Sequence, residues 1–343
     1  MSESPTIASR IPMPIPVLEI GAGGAPALAK AAPDRLGLIL AAAEVHYTRI
    51  GLEIGDRLSR RWFERAENPY LDEIAAAAAC LHHVPAGHAG VRAGAYLLNL
   101  SYEWTCTTAV APDPTGRGNR MLRTLDWPLD NLGRALVVAR QEDDAGPYLN
   151  VTWPGFAGVI TAMAPGRFAA ALNQPPAIKR TFSCWLDWAI ARARVFQSRA
   201  LPPAHLLRRV FDTCRTYAEA RAMLIETPLC LPAFFTLSGI APNEGCVIER
   251  TEDAARVRES PATAANHWVS FPFPGWPRGE ASETRFRRMS EIHRRAPDGF
   301  AWVAPPILNA TTRAAVVANA ARGVLWVQGY ESDGPATAPL VVP

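Results

Sequence analysis

Trp104-Thr105-Cys106-Thr107-Thr108-Ala109-Val110-Ala111, then Asp113-Pro114-Thr115-Gly116, then Arg120-Met121-Leu122-Arg123-Thr124-Leu125-Asp126-Trp127, is the stretch on which the reading of this chain turns. Thr107 to Ala111 alternates as a strand does, Asp113 to Gly116 has the residues of a turn, and Arg120 to Trp127 reads as the returning strand. This hairpin sets Cys106 at its start, with Arg123 and Asp126 coming back towards it. An isolated cysteine is most often a small buried hydrophobe, and Arg123 with Asp126 also reads as an ordinary strand-end pair. A chemical reading stands beside these, in which Arg123 beside the sulfur favours its thiolate and Asp126 belongs to the same site. An Arg and an Asp three apart point to opposite faces of a regular strand, so this reading predicts a bend near Asp126, with Trp127-Pro128 as its place.

The run from Cys106 to Arg123-Thr124-Leu125-Asp126 resembles the N-terminal-nucleophile (Ntn) hydrolases, in the group of acid ceramidase and N-acylethanolamine acid amidase, within the broader choloylglycine-hydrolase and penicillin-acylase group. The likeness extends over roughly residues 95 to 330. Leu97 to Glu103 is similar to the segment these amidases carry before their cleavage site, and Arg167 to Gln174 resembles the strand that ends in a substrate-facing Asn. Ala265-Asn266-His267-Trp268 resembles the segment whose Asn supplies an oxyanion donor, and Thr284-Arg285-Phe286-Arg287-Arg288 the start of an Arg-bearing helix. The resemblance implies self-cleavage between Thr105 and Cys106, with Cys106, Arg123, Asp126, Asn173, Asn266 and Arg285 as the catalytic set and no cofactor. Cys106 would then own an α-amine, titrating near about 7.7, that accepts the proton of its thiol, titrating near about 8.5, and Asp126 would hold that amine. Arg287 competes with Arg285 for the late arginine role. Three departures stand out: Thr124 where the group has Asn, His267 where it has Tyr, and Asn173-Gln174 where it has an acidic pair. Asn173, before Pro175-Pro176, also reads as a plain strand end, and Asn266 as a loop residue.

A papain-like alternative pairs Cys106 with His267. The remaining histidines, His46, His82, His83, His88, His205 and His293, show no metal-ligand spacing, and the six cysteines form no Cys-x-x-Cys. No metal is expected. At 343 residues, 49% hydrophobic and 20% charged, the composition is that of a globular enzyme, and a net charge of +3 is too small to argue for nucleic acid. Lys30 and Lys179 are the only lysines. With the abundant Ala and Pro, this is expected of a GC-rich bacterial genome. The start lacks a basic leader and Pro12 to Pro16 interrupts any apolar helix, so a cytoplasmic location with reduced thiols is expected.

Residues 1–33 read as an extended arm. Asp34 is expected to cap one helix running through Leu36, Leu40, Ala43, Tyr47, Ile50, Ile54 and Leu58, whose stripe serves core packing or contact with lipid. A second helix is expected from Leu71 to about His83, and others over 180–198, 203–226 and 284–295. Strands are expected over 134–140, 148–153, 234–240, 246–250 and 323–330. The order fits an α+β, four-layer αββα Ntn-hydrolase sandwich. It divides into a helical pro-segment, 1–105, which stays attached as the α subunit of an α/β heterodimer, and a catalytic part, 106–343.

The function the resemblance implies is hydrolysis of an N-acyl amide, with a fatty acyl chain favoured, through a Cys106 thioester. Trp127, Trp153, Phe156, Trp185 and Trp188 are candidates for lining the acyl pocket, or are plain core. An acyltransferase that passes the acyl group to an amine uses the same residues. An uncleaved, non-catalytic lipid-binding or assembly protein is the reading from another class.

Overall fold

A computed structural model describes residues 12–84, 92–100, 103–295 and 299–343. His88, Ser101 and Tyr102 of the sequence reading lie outside the described residues, as does the start of the expected arm.

Residues before Cys106 form β1 (Val17–Gly21), α1 (Gly24–Ala31), α2 (Pro33–Tyr47), α3 (Arg49–Arg65), α4 (Leu71–Cys80) and α5 (Ala95–Leu100). The expectation of an extended arm is therefore corrected. The short Val-Leu-Glu-Ile alternation is enough for an edge strand, and Gly21 and Gly24, both at positive φ, turn the chain into α1. The single helix expected from Asp34 through Leu58 is two. Thr48 breaks it at φ 62°, ψ 158°, and its hydroxyl accepts from the Gly51 amide at 3.2 Å. Pro33 starts α2, leaving Asp34 in the first turn and not at the cap. The break also rotates the register. Ile50, Ile54 and Leu58 face outward, while α3 buries Leu52, Trp62 and Phe63.

The hairpin is β2 (Thr105–Pro112) and β3 (Asn119–Asp126), in antiparallel register with Cys106 opposite Leu125 and Thr105 opposite Asp126. A short helix, α6 (Leu132–Ala135), leads to β4 (Val137–Asp143), β5 (Gly146–Thr152), β6 (Thr161–Ala164) and β7 (Phe168–Asn173). Then come α7 (Cys184–Gln197), α8 (Pro203–Thr213) and α9 (Tyr217–Glu226). The single helix expected over 203–226 is interrupted at Cys214–Thr216, where the Thr216 hydroxyl caps α9 by accepting from the Glu219 amide at 3.2 Å. β8 (Ala233–Gly239) and β9 (Gly245–Arg250) make the expected second hairpin, followed by β10 (Ala255–Glu259), β11 (Ala262–Ala264) and α10 (Ser282–Ile292). The chain ends in β12 (Thr312–Asn319), β13 (Val324–Glu331), β14 (Gly334–Pro335) and β15 (Leu340–Val342).

Two sheets result. Eight strands run in the order β1-β4-β5-β6-β7-β8-β9-β10; seven contain β11-β2-β3-β12-β13-β14, with β15 also on β13. β1 pairs parallel to β4, so the segment before Cys106 contributes an edge strand to a sheet built otherwise from residues after it. The sheets face each other through one apolar layer in which Met121, Leu125, Val316 and Val327 meet Leu149, Val151, Met163 and Ala171. Outside the larger sheet, α8 and α9 bury Leu207, Phe211 and Leu224 against it. Outside the smaller sheet, α10 lays Met289 and Ile292 on Ala109, Leu122, Ala315 and Val317. The order from one side to the other is helices, sheet, sheet, helix. Among the described residues no helix is long and apolar enough to cross a membrane.

Candidate active site

Strand alternation decides the geometry around Cys106. On β2 and β3, Cys106, Thr108, Arg123 and Leu125 point into the space between the sheets, whereas Thr105, Thr107 and Asp126 point to the outer face under α10. The cysteine is fully buried. Arg123 Nη2 lies 3.0 Å from its sulfur and also donates to Leu172 O at 3.0 Å, while Nη1 donates to Ile160 O at 3.0 Å and to the Thr161 hydroxyl. The opposite sheet thus fixes the guanidinium in place. Burial pushes the Cys106 thiol up, against the opposing pull of Arg123.

On the outer face, Asp126 Oδ1 accepts from the Thr312 hydroxyl at 2.9 Å and Oδ2 from the Thr105 hydroxyl at 3.4 Å. Arg285, buried on α10, stands 3.7 Å from the same carboxylate. Burial raises the Asp126 pKa, and Arg285 opposes that rise. Arg285 also donates to Cys106 O (2.9 Å), the Thr107 hydroxyl (2.6 Å), Asn266 Oδ1 (2.9 Å) and Glu280 O (2.9 Å). The expected bend is present at Pro128, directly after β3, but it does not bring Asp126 to the face of Arg123. β3 runs regularly through Asp126, and the register shift falls in β12, between Thr312 and Ala314. Arg123 and Asp126 sit on opposite faces, and the backbone of Thr105 and Cys106 passes between them.

Asn266 follows β11 and reaches that backbone. Its Oδ1 accepts from the Cys106 amide at 3.0 Å and its Nδ2 donates to Gln174 O at 2.7 Å. In the intact chain the nitrogen that would become the α-amine is therefore held by Asn266, not by Asp126, and the Asn266 amide is already engaged. Asn173 ends β7; its Nδ2 donates to Ala264 O (3.4 Å) and Ala265 O (3.3 Å), and its buried Oδ1 has no hydrogen-bond partner. The structure brings Cys106, Arg123, Asp126, Asn266 and Arg285 into one connected network, with Asn173 at its border. Arg287 is exposed, one helical face away from Arg285. His267 does not turn to the sulfur: its Nδ1 lies 2.8 Å from the Ser282 hydroxyl and its ring packs on Phe286.

Sequence reasoning missed Thr161, Thr312, Thr107 and Arg278. No local signal marks the first three. Arg278 stood in a Pro-Gly-Trp-Pro-Arg-Gly loop, and its placement depends on how that loop folds back. It joins Thr105, Glu103, Trp276 and Thr311 in a groove of about 420 Å³ beside the Thr105–Cys106 bond. A second pocket, almost wholly apolar, is lined by Leu36, Ile39, Leu98, Trp127, Trp153 and Phe156. Trp127 packs against Trp104, which precedes Thr105, with the ring planes tilted by 58° at a centroid distance of 5.0 Å. Trp185 and Trp188, candidates for the same pocket, lie exposed on α7, which buries only Asp187 and Val195.

Two facing sheets flanked by helices are the fold expected of the Ntn hydrolases, and it recurs among solved structures. A solved N-acylethanolamine-hydrolyzing acid amidase ortholog from Caenorhabditis elegans has this fold. It superposes with a TM-score of 0.52 at 21% identity, over 69% of this chain and 100% of that one. Within that class the relatives of this chain are the acid ceramidases and the N-acylethanolamine-hydrolyzing acid amidases. Human acid ceramidase is 27% identical over 168 residues, covering 44% of this chain and 41% of its own length. The amidase of Oryctolagus cuniculus is 30% identical over 161 residues, covering 46% and 42%. The matched region thus spans about two fifths of those two relatives. No family model matches the chain.

Proposed function

We propose that this protein is a self-processing cysteine amidohydrolase that cleaves Thr105–Cys106 and then hydrolyses the amide bond of an N-acyl amide. One observation carries the reading: a buried thiol 3.0 Å from a fixed guanidinium, on a residue whose backbone nitrogen is already held by Asn266 at 3.0 Å. Cutting the preceding peptide bond converts that nitrogen into an α-amine inside a finished polar site. The amine takes the thiol proton and the sulfur attacks the substrate carbonyl. The tetrahedral intermediate then collapses with proton transfer to the departing amine, leaving a Cys106 thioester. Water, deprotonated by the same amine, adds to the thioester and releases the acid and the thiol.

The names of the relatives indicate enzymes acting on ceramide and on N-acylethanolamines, and the apolar pocket beside Trp127 is suited to a fatty acyl chain. The segment 1–105 then acts as a pro-part that stays bound. Trp62 Nε1 donates to Val195 O at 2.7 Å, Asn99 accepts from the Ala157 amide at 2.9 Å, Glu73 lies 3.4 Å from Arg208, and β1 remains paired to β4.

Intact mass under denaturing, reducing conditions tests this. Wild-type protein is expected as two fragments meeting at Thr105 and Cys106, and Cys106→Ala as one chain. A wild-type chain that stays whole on incubation across a range of pH refutes self-processing, as does a Cys106→Ala chain that splits at the same bond.

A further inference from the structure

Helix α10 reaches Asn266 at two points. Arg285, in its first turn, donates to Asn266 Oδ1 at 2.9 Å. Ser282, the residue that opens the helix, accepts from the Asn266 backbone N–H at 2.9 Å through its hydroxyl. Residues three apart on a helix are neighbours on its surface, so one side of α10 fixes both the backbone and the side chain of Asn266. The side chain is saturated: Oδ1 also accepts from the Cys106 amide at 3.0 Å, and Nδ2 donates to Gln174 O at 2.7 Å. The backbone depends on Ser282, because the ladder of β11 with β2 stops at Ala264 and a buried N–H without an acceptor is costly. Ser282 Oγ also lies 2.8 Å from His267 Nδ1. Burial holds the His267 pKa below its usual range, so the ring is neutral at neutral pH; this assigns the Ser282 proton to His267 Nδ1 and leaves the serine lone pairs to Asn266. The entry to α10 is strained to place this hydroxyl. Ala281 sits in the left-handed region at φ 48°, ψ 40°, where a residue other than glycine persists only when its surroundings over-determine it.

We infer that Ser282 is a positioning residue for self-cleavage and turnover, acting on the Cys106 nitrogen through Asn266. This rests on the amidohydrolase reading above. In the intact chain Asn266 Oδ1 fixes the N–H of the bond to be cut. After the cut the same oxygen accepts one N–H of the neutral α-amine, which turns the nitrogen lone pair towards the thiol proton it must take. A loop released from Ser282 lets Oδ1 drift, and the amine then rotates about its Cα–N bond with nothing to hold the lone pair on the sulfur. His267 lies at the far end of this chain of hydrogen bonds: it takes the Ser282 proton and passes nothing to Asn266.

Ser282→Ala, Ser282→Thr and His267→Ala in the full chain test this. The readouts are the rate at which the two fragments appear by intact mass, and kcat and KM per cleaved chain on N-dodecanoylethanolamine. Ser282→Ala is expected to slow self-cleavage and lower kcat by about tenfold each, with KM within about twofold, because one buried N–H loses its acceptor while the substrate contacts remain. Ser282→Thr keeps the hydroxyl and should restore both rates to within about threefold of wild type, as should His267→Ala, which keeps the bond to Asn266. Wild-type rates in Ser282→Ala overturn the inference. So does an equal loss in Ser282→Thr, which gives the effect to shape, an equal loss in His267→Ala, which gives it to the histidine, or a raised KM at unchanged kcat, which makes Ser282 a binding residue. If Ser282→Ala does not fold, the isosteric pair Ser282→Thr and Ser282→Val decides by the same measures; failure of both Ser282→Ala and Ser282→Val to fold makes the serine a structural residue and overturns the assignment. All these outcomes leave the amidohydrolase reading standing. A wild-type chain that cleaves itself but spares this amide leaves the self-cleavage rates to decide, and one that neither cleaves itself nor hydrolyses the amide overturns both readings.

Discussion

Replacing Arg285 by Met in a Cys106→Ala background, where the chain is expected to remain whole, isolates the outer half of the site. Arg285 is buried and makes four hydrogen bonds of 2.6–2.9 Å to Cys106 O, Thr107, Asn266 and Glu280 O. It also faces Asp126 at 3.7 Å. Methionine fills much of the same volume but leaves the Asp126 carboxylate buried without its cation. Breaking a buried pair by removing one partner costs about 3–5 kcal/mol. The sign of the pH dependence follows from Asp126. Burial has already raised its pKa in the folded chain, against Arg285, and losing Arg285 raises it further. An acid whose folded pKa lies above its unfolded value of about 3.9 destabilises the fold progressively as pH rises between the two values. The penalty should therefore be largest at pH 7 and shrink as pH falls, vanishing below about 4, where the carboxyl becomes neutral in both states. Urea unfolding at a series of pH values measures it, with Arg287→Met on the exposed side of the same helix as control, expected within about 0.5 kcal/mol of the parent. A loss below about 1 kcal/mol at pH 7, or one that grows towards acid, refutes the account of Asp126 and Arg285 as a coupled buried pair.

Arg123→Gln should raise the pH midpoint of thiol alkylation in the cleaved protein, because the guanidinium 3.0 Å from sulfur favours thiolate; an unmoved midpoint removes Arg123 from that role. His267→Ala should retain self-cleavage and turnover, since its ring engages Ser282 and Phe286; loss of both, in a folded protein, would restore the cysteine–histidine pairing. After cleavage the two fragments should co-elute on native size exclusion, held by the burial of Trp62 and Phe63 and by β1; separation of the fragments in native buffer contradicts this. Thr312→Val should destabilise the chain by about 1–3 kcal/mol by removing a buried donor to Asp126 at 2.9 Å, measured by the same urea unfolding.

The hairpin from Thr105 to Asp126, the second hairpin from Ala233 to Arg250 and the helix that begins at Ser282 were legible from the sequence, because period-two alternation, turn residues and helical spacing are local properties. Local pattern misled where a single residue interrupts it. Thr48 splits what reads as one helix, and the five residues from Val17 to Gly21 make a strand too short to announce itself beside its prolines. The sequence also placed Arg123 and Asp126 on opposite faces by their spacing. What it could not supply is that this opposition needs no bend, because the site uses both faces of the sheet. Which groups meet there depends on packing across the fold: Asn266 comes to the Cys106 amide from 160 positions away, Thr312 to Asp126 from 186, and Arg285 to Cys106 O from 179. Side chains so distant in the chain share no local pattern. Their positions are set by how the two sheets stack and by the rotation of α10, which turns Arg285 inward with Met289 and Ile292 and leaves Arg287 outside.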